Sequence, residues 1–338
     1  MERVSDIGEF GLIQRLTRMF LRPPDVVVGA GDDAAIFKLT SGQLVVATCD
    51  MLIEEVHFDL GAYSATHAGW RAMTASLSDV AAMGCKPRFA TVSIGVPQDA
   101  AVLTVEEIFV GLTNAAKEHS AAIVGGDTVK SPEKIVIDVF MIGEPVGSRY
   151  LTRSGASDGD VVVVTGYPGR SAAGLEILFS GRAPEGGEEE LVRAHVEPYA
   201  RVEQGLFLAQ NESVGAAIDL SDGLAQDLGH ICEMSRFGAV IDVEKLPISS
   251  HLAQYCERNG RNAPGLCLSG GEDYELLFTV REDNLEALLA GWQEQFDVPA
   301  TAIGHVTSKR EGVRLENPDD IAVNDIAGYD HFRRMKER

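Results

Sequence analysis

Acidic residues recur beside glycine at the edges of apolar segments, a pattern few folds accommodate. The chain reads Gly31-Asp32-Asp33-Ala34-Ala35, Thr48-Cys49-Asp50, Ser78-Asp79, Gly125-Gly126-Asp127-Thr128, Asp219-Leu220-Ser221-Asp222-Gly223 and Gly270-Gly271-Glu272-Asp273. One Asp-Gly is an ordinary turn or helix cap. Repeated this often, several times inside apolar sequence, the pattern asks for another cause. Carboxylates gathered at one place repel each other, and a divalent cation among them removes that cost. Hard oxygen ligands on glycine-permitted backbone suit Mg²⁺, which completes its shell with water and phosphate oxygens. The pattern points to metal-dependent phosphate chemistry.

The charge balance agrees. Net charge is -22, which argues against nucleic acid as a partner, because backbone binding needs a basic face. A phosphorylated ligand in so acidic a protein needs metal to bridge the like charges. The 338 residues allow two domains with real cores. No stretch approaches a membrane span. The N-terminus lacks a basic-then-apolar leader, which favours the cytoplasm. Five cysteines (Cys49, Cys85, Cys232, Cys256, Cys267), with no Cys-x-x-Cys pair, argue against a disulfide framework or structural zinc.

Alternating patterns predict α/β or α+β layers in both halves. Strands are expected over 42–48, 89–96, 121–124 and 135–142, then 160–166, 214–220, 239–243, 274–280 and 302–306. Helices are expected over 66–83, 104–120, 171–179, 224–235 and 284–295. Ser76 and Asp79 lie three apart on one face of the first of these. Residues 143–159 turn to Gly, Pro, Ser and Arg, which places a boundary between domains 1–148 and 149–338. Residues 181–190 read as a mobile loop or frayed helix start.

Two phosphate-handling architectures are absent: no G-x-x-x-x-G-K-[ST] loop and no H-R-D or D-F-G set occurs. Asp33, Asp50, Asp79, Asp127 and Asp222 each follow or open a turn, where a ligand can reach them. Asp32 reads as a cap beside its ligating neighbour, and Asp227 as an ordinary surface residue. Arg153 fits a phosphate clamp or a surface ion pair. His57 fits a phosphate donor or a polar strand residue. Ser221 fits an ATP or metal contact or a helix cap. Glu272 fits an acceptor for a substrate amine or a turn residue. Tyr329 and Phe332 fit ring stacking or anchoring of the C-terminal segment.

Taken together, these motifs resemble the thiamine-monophosphate kinase family. They are Gly31-Asp32-Asp33-Ala34-Ala35, Asp50 with His57-Phe58, Leu77-Ser78-Asp79-Val80-Ala81-Ala82-Met83-Gly84, Gly125-Gly126-Asp127-Thr128, Leu151-Thr152-Arg153-Ser154-Gly155-Ala156, Ile218-Asp219-Leu220-Ser221-Asp222-Gly223-Leu224 and Gly270-Gly271-Glu272-Asp273-Tyr274-Glu275-Leu276. They stand in the family's order and cover nearly the whole chain. The resemblance implies the two-domain fold shared with aminoimidazole-ribonucleotide synthetase and selenophosphate synthetase, with N-terminal domains pairing into a homodimer barrel. It implies that ATP and thiamine monophosphate give thiamine diphosphate and ADP, with several Mg²⁺ ions. Carried over, Asp33, Asp50, Asp79, Asp127, Asp219 and Asp222 are metal ligands, and Thr48 and Cys49 accessory ones. A thiol is a poor Mg²⁺ ligand, so Cys49 contributes backbone oxygen if anything. Gly126, Asp127, Arg153 and Ser221 are ATP contacts. His57, Glu272 and Tyr329 are substrate contacts. Asp50, Asp127, Arg153 and Asp222 carry the transfer itself. The stretch Glu118-His119-Ser120 lacks the tyrosine some members place near adenine. A selenophosphate synthetase needs a reactive N-terminal cysteine, and the hydrogenase-maturation relative needs a C-terminal cysteine tail; neither is present. A non-catalytic nucleotide-binding regulator is the alternative of another class.

Overall fold

A computed structural model describes residues 2–21, 23–317 and 332. Its two halves each build a six-stranded sheet. The first half contains α1 (Val4–Thr17), β1 (Val26–Val28), β2 (Ala35–Lys38), β3 (Leu44–Ile53), α2 (Ala65–Ala82), β4 (Cys85–Val96), α3 (Val102–Glu118), β5 (Ala122–Lys130) and β6 (Val136–Pro145). The strand order is β1-β2-β3-β6-β4-β5. Only β4 and β5 run parallel, and α3 makes that crossover.

α2 packs on the inner face of this sheet and α3 packs on α2. Ser64 starts α2 by accepting from His67 N, satisfying one orphan donor of the first turn. The two helices approach closely because glycine faces backbone in both directions. A Cβ on Gly69 would stand 1.9 Å from the Ile108 carbonyl oxygen, and one on Gly111 would stand 1.9 Å from that of Thr66. Ile108, Leu112, Met73, Leu77, Ile94 and Met141 fill the core beneath.

The second half begins at β7 (Val161–Thr165) and continues through α4 (Arg170–Phe179), α5 (Glu188–Val196), α6 (Val202–Gln210), β8 (Val214–Asp219), α7 (Leu224–Ser235), β9 (Gly238–Asp242), α8 (Ser250–Asn259), α9 (Ala263–Ser269), β10 (Leu276–Val280), α10 (Leu285–Gln295), β11 (Ala300–Thr307) and β12 (Val313–Glu316). The order is β12-β9-β11-β7-β10-β8. The central strands are apolar on both faces, as a doubly covered sheet requires. Val162, Val164 and Leu277 pack toward α7, while Val163, Phe278 and Val280 pack toward Trp292 of α10.

α2 is the shared wall of the two halves. Its C-terminal turns touch α6, where a Cβ on Gly205 would lie 2.0 Å from the Ala81 carbonyl oxygen. They also touch the end of β8, where Ser78 reaches Asp219. This seam decides which carboxylates can meet.

Several expectations are corrected. Asp50 and Asp127 lie within β3 and β5, not at turns. Of the two readings of residues 181–190, the helix start is present from Glu188, which opens α5, is buried, and pairs with Arg182 and Arg258. Asp227 is buried, 1% exposed, and is no surface residue.

Candidate active site

The seam gathers carboxylates from both halves. Asp33 precedes β2, Asp50 sits in β3, Asp79 in the last turn of α2, and Asp219 ends β8. Oxygens of Asp33, Asp79 and Asp219 all lie within 4.8 Å of one another. Asp33 and Asp219 are buried, and Asp50 and Asp79 are half-buried. Three hydroxyls hold the set in place. Thr48 Oγ1 donates to Asp79 Oδ2 at 2.5 Å, Ser76 Oγ to Asp50 Oδ2 at 2.7 Å and Ser78 Oγ to Asp219 Oδ2 at 2.6 Å. Arg153 donates through Nε to Asp33 Oδ1 at 3.0 Å and pairs with it through Nη2. Its backbone N–H is held by Asp32 Oδ1 at 3.1 Å, so Asp32 secures the segment that delivers Arg153.

The electrostatics record the repulsion that the sequence implied. Burial, reinforced by neighbouring aspartates, pushes Asp219 up to about 8 and Asp50 up to about 6. The same causes push Asp79 well above the usual carboxylate range. Burial also raises Asp33, with Arg153 opposing. Asp33 Oδ2 is buried without a hydrogen-bond partner. An all-oxygen donor set, one orphaned carboxylate oxygen and several carboxylates that resist ionisation together match a hard divalent cation.

A second group lies beside the first. Asp222, Asp227 and His230 also bring ligand atoms within 4.8 Å of one another. Asp227 Oδ2 accepts from Gly223 N at 3.0 Å and Asp222 N at 3.3 Å. It therefore ties down the turn just before α7. Burial, with Arg153 nearby, lowers His230 to about 4.

Other expected residues lie apart from these groups. Pairing runs Asp50↔Val139↔Val92↔Gly126 across the sheet, and Met51↔Asp138↔Ser93↔Asp127 in the adjacent row. Adjacent rows face opposite sides of a sheet. Asp127 thus lies on the outer face with Met51, opposite Asp50, and Cys49 shares that outer face. Gly126 fills a tight place in β5, because a Cβ there would stand 1.8 Å from the Val92 carbonyl oxygen.

His57 and Glu272 mark another corner. His57 Nδ1 accepts from Ile53 N at 3.0 Å. The Glu272 loop is tied to the Ser221 loop by Glu272 N donating to Ser221 O at 2.8 Å. Both candidates meet buried Arg71. Tyr329 lies outside the described residues. Sequence reasoning did not single out Ser78, Asp138, Arg71 or His195 as site residues. The usable signal was polarity out of place: Arg71, Ser76 and Ser78 interrupt an otherwise small and apolar helix.

Comparison with known proteins follows the same division of the chain. Residues 31–144 match the AIR synthase related protein N-terminal domain and residues 157–316 the C-terminal domain. A thiamine-monophosphate kinase of Aquifex aeolicus is 38% identical over 331 residues, covering 98% of this chain and 100% of the relative. That of Escherichia coli K12 is 38% identical over 328 residues, covering 96% and 98%. A solved structure described as AaThiL complexed with AMPPCP and TMP superposes with a TM-score of 0.85 at 36% identity, covering 98% of this chain and 99% of that one.

Proposed function

The chain belongs to the thiamine-monophosphate kinase family, with both AIR synthase related domains, and on that premise we propose how its own residues carry the reaction. It phosphorylates thiamine monophosphate to thiamine diphosphate at the expense of ATP. The observation that supports our site assignment most directly is the meeting of Asp33 and Asp79 from the first half with Asp219 from the second.

Asp33, Asp79 and Asp219 would hold Mg²⁺, with Asp50 and Asp222 flanking. Several ions would serve the site, with Thr48 as an accessory ligand. Mg²⁺ bound there would neutralise phosphate charge and align the reacting groups. The protein orients, and the incoming nucleophile needs little activation. A phosphate monoester oxygen is already anionic near neutral pH, so the acceptor attacks the γ-phosphorus in line without a strong general base. Arg153 turns from Asp33 toward the phosphates and adds charge stabilisation. Ser221 and Gly126 contact ATP, while His57 and Glu272 contact the substrate. Thr48, Ser76 and Ser78 keep three carboxylates from swinging away.

We further propose that domains 1–148 and 149–338 act as the two walls of the site, and that the first pairs into a homodimer. Its sheet exposes Met51, Phe89, Val124, Val129 and Phe140, an apolar surface suited to a second copy. Asp127 and Cys49 lie on this same side, where they approach the pairing surface. Among the described residues no helix is long and apolar enough to cross a membrane. Five unpaired cysteines suit a reducing cytoplasm.

The test is ADP release under four conditions. Turnover requires both Mg²⁺ and thiamine monophosphate. ATP binding without turnover identifies a regulator and refutes the proposal.

A further inference from the structure

Arg71 and Asp79 are the two formally charged side chains of α2, and Arg71 lies outside every carboxylate group described so far. It is fully buried, where an unbalanced cation is costly. Its Nη1 donates to the His195 carbonyl at 2.6 Å. Its Nη2 donates to Glu272 Oε1 at 2.5 Å and faces the His57 carbonyl at 3.5 Å. One guanidinium therefore touches both residues read above as substrate contacts, one through backbone and one through its carboxylate.

The surroundings form a built corner. Tyr63 OH donates to the His57 carbonyl at 3.3 Å, and its ring lies 5.9 Å from the Arg71 guanidinium carbon. His195 Nδ1 lies 3.0 Å from Ser171 Oγ and 3.3 Å from Arg71 Nη1. A guanidinium only donates, so Nδ1 accepts and the imidazole proton sits on Nε2. His195 Nε2 and Arg71 Nε are both buried without a partner. Burial, with Arg71 adjacent, holds this imidazole neutral.

The loop that Arg71 grips is strained. Glu272 and Tyr274 have φ of 61° and 52°, in the left-handed region that costs non-glycine residues roughly 1–2 kcal/mol each. Backbone bonds to Ser221 and Leu220, at 2.8 and 2.9 Å, hold the loop from one side. The Arg71 ion pair holds it from the other. The Glu272 side chain remains 32% exposed. Oε1 is taken by Arg71; Oε2 lies 4.0 Å from His195 Nδ1, beyond hydrogen-bond reach, and is the oxygen able to accept from a ligand.

We propose that Arg71 is a positioning residue for the thiamine end of the substrate: by fixing Glu272 Oε1 and the His57 backbone, it presents Glu272 Oε2 to an amino group of the ligand. Thiamine monophosphate carries an aminopyrimidine and a cationic thiazolium, so an oriented carboxylate favours it over phosphate monoesters that lack an amino or cationic group. This rests on the reading of Glu272 as a substrate contact. Arg71 touches no reacting atom and no phosphate, so its effect falls on substrate affinity.

The experiment is a double-variant cycle on the full chain with Arg71→Met, Glu272→Gln and both, reading kcat and KM for each substrate beside the melting temperature. Glu272→Gln alone tests the underlying reading: an unchanged KM for thiamine monophosphate refutes Glu272 as a contact. Given a rise there, Arg71→Met is expected to raise the same KM by about tenfold or more, as loss of a charge-assisted bond does. KM for ATP should stay within about twofold, and Arg71→Met should add little once Glu272 is already Gln. Arg71→Lys keeps a buried cation but lacks the fork, so it should recover part of the affinity. It also serves as the variant to read if the Met form fails to fold. Full additivity in the cycle, or a fall in melting temperature with both KM values unchanged, overturns the proposal and leaves Arg71 a purely structural tie.

Discussion

Replacing Asp219 by Asn should make the metal-free protein more stable and the enzyme inactive. Asp219 is 2% exposed, and burial with like charge nearby lifts it from 3.8 to about 8. For a carboxyl raised on folding, the unfolded chain ionises first. Stability is complete below the unfolded value and is lost as pH rises through this window. At pH 7 the unfolded group has released its proton and the folded one has not. The difference of about three pH units corresponds to roughly 4 kcal/mol against the fold. Asn removes that term and can still accept from Ser78 Oγ, 2.6 Å away in the native pair. At about 2 °C per kcal/mol, the melting point in chelator should rise by roughly 5–10 °C.

Mg²⁺ with nucleotide should narrow the gap. A ligand that binds only the folded state at about a hundred times its Kd adds about 2.7 kcal/mol. The wild type should gain this and the variant little. Turnover should fall by about 10²-fold or more, since one charge of the site is gone. The assay is thermal melting in chelator and in Mg²⁺ with a non-hydrolysable nucleotide, beside ADP release. The reasoning fails if Asp219→Asn melts at or below wild type in chelator, or if Mg²⁺ raises both melting points equally.

Asp50→Asn should lower turnover by orders of magnitude with the fold intact by circular dichroism; wild-type activity would remove Asp50 from the metal assignment. Direct transfer predicts no phospho-enzyme, so γ-labelled ATP in a single turnover followed by acid quench should leave no label on the denatured chain. His119, lowered from 6.5 to about 4 by burial and by Arg201, should destabilise the protein in acid. The unfolded imidazole takes its proton first, so stability is lost as pH falls from 6.5 toward 4, by up to about 3 kcal/mol. His119→Gln should remove that share of the pH dependence of the urea midpoint across this window, leaving the share of His230.

What could be read in advance follows the range of the physics. The helix at 66–83 was legible because a run of small residues with few charges has few alternatives, and it appears as Ala65–Ala82. The helix at 224–235 appears unchanged. Short helices escaped notice where local chemistry misleads. Glu188-Glu189-Glu190 reads as a mobile loop or a frayed helix start, yet Glu188 is buried because Arg182 and Arg258, one near and one far, neutralise it. The Arg71–Glu272 pair spans both halves and leaves no local trace beyond a charge on an apolar helix.

The carboxylate pattern shows the same limit at the site. Repetition revealed that these aspartates need a common cause, but their placement depends on strand register, which no single motif contains. Gly125-Gly126-Asp127 reads as a turn. In the sheet, Gly126 instead lets β5 lie against the Val92 carbonyl, so the strand continues and Asp127 falls one position beyond the row of Asp50. Side-chain direction alternates with every residue, and that single step turns Asp127 to the outer face while Asp50 faces α2. Composition and motif order can therefore name the reacting groups, but the division between those gathered at the seam and those facing outward is a property of the sheet.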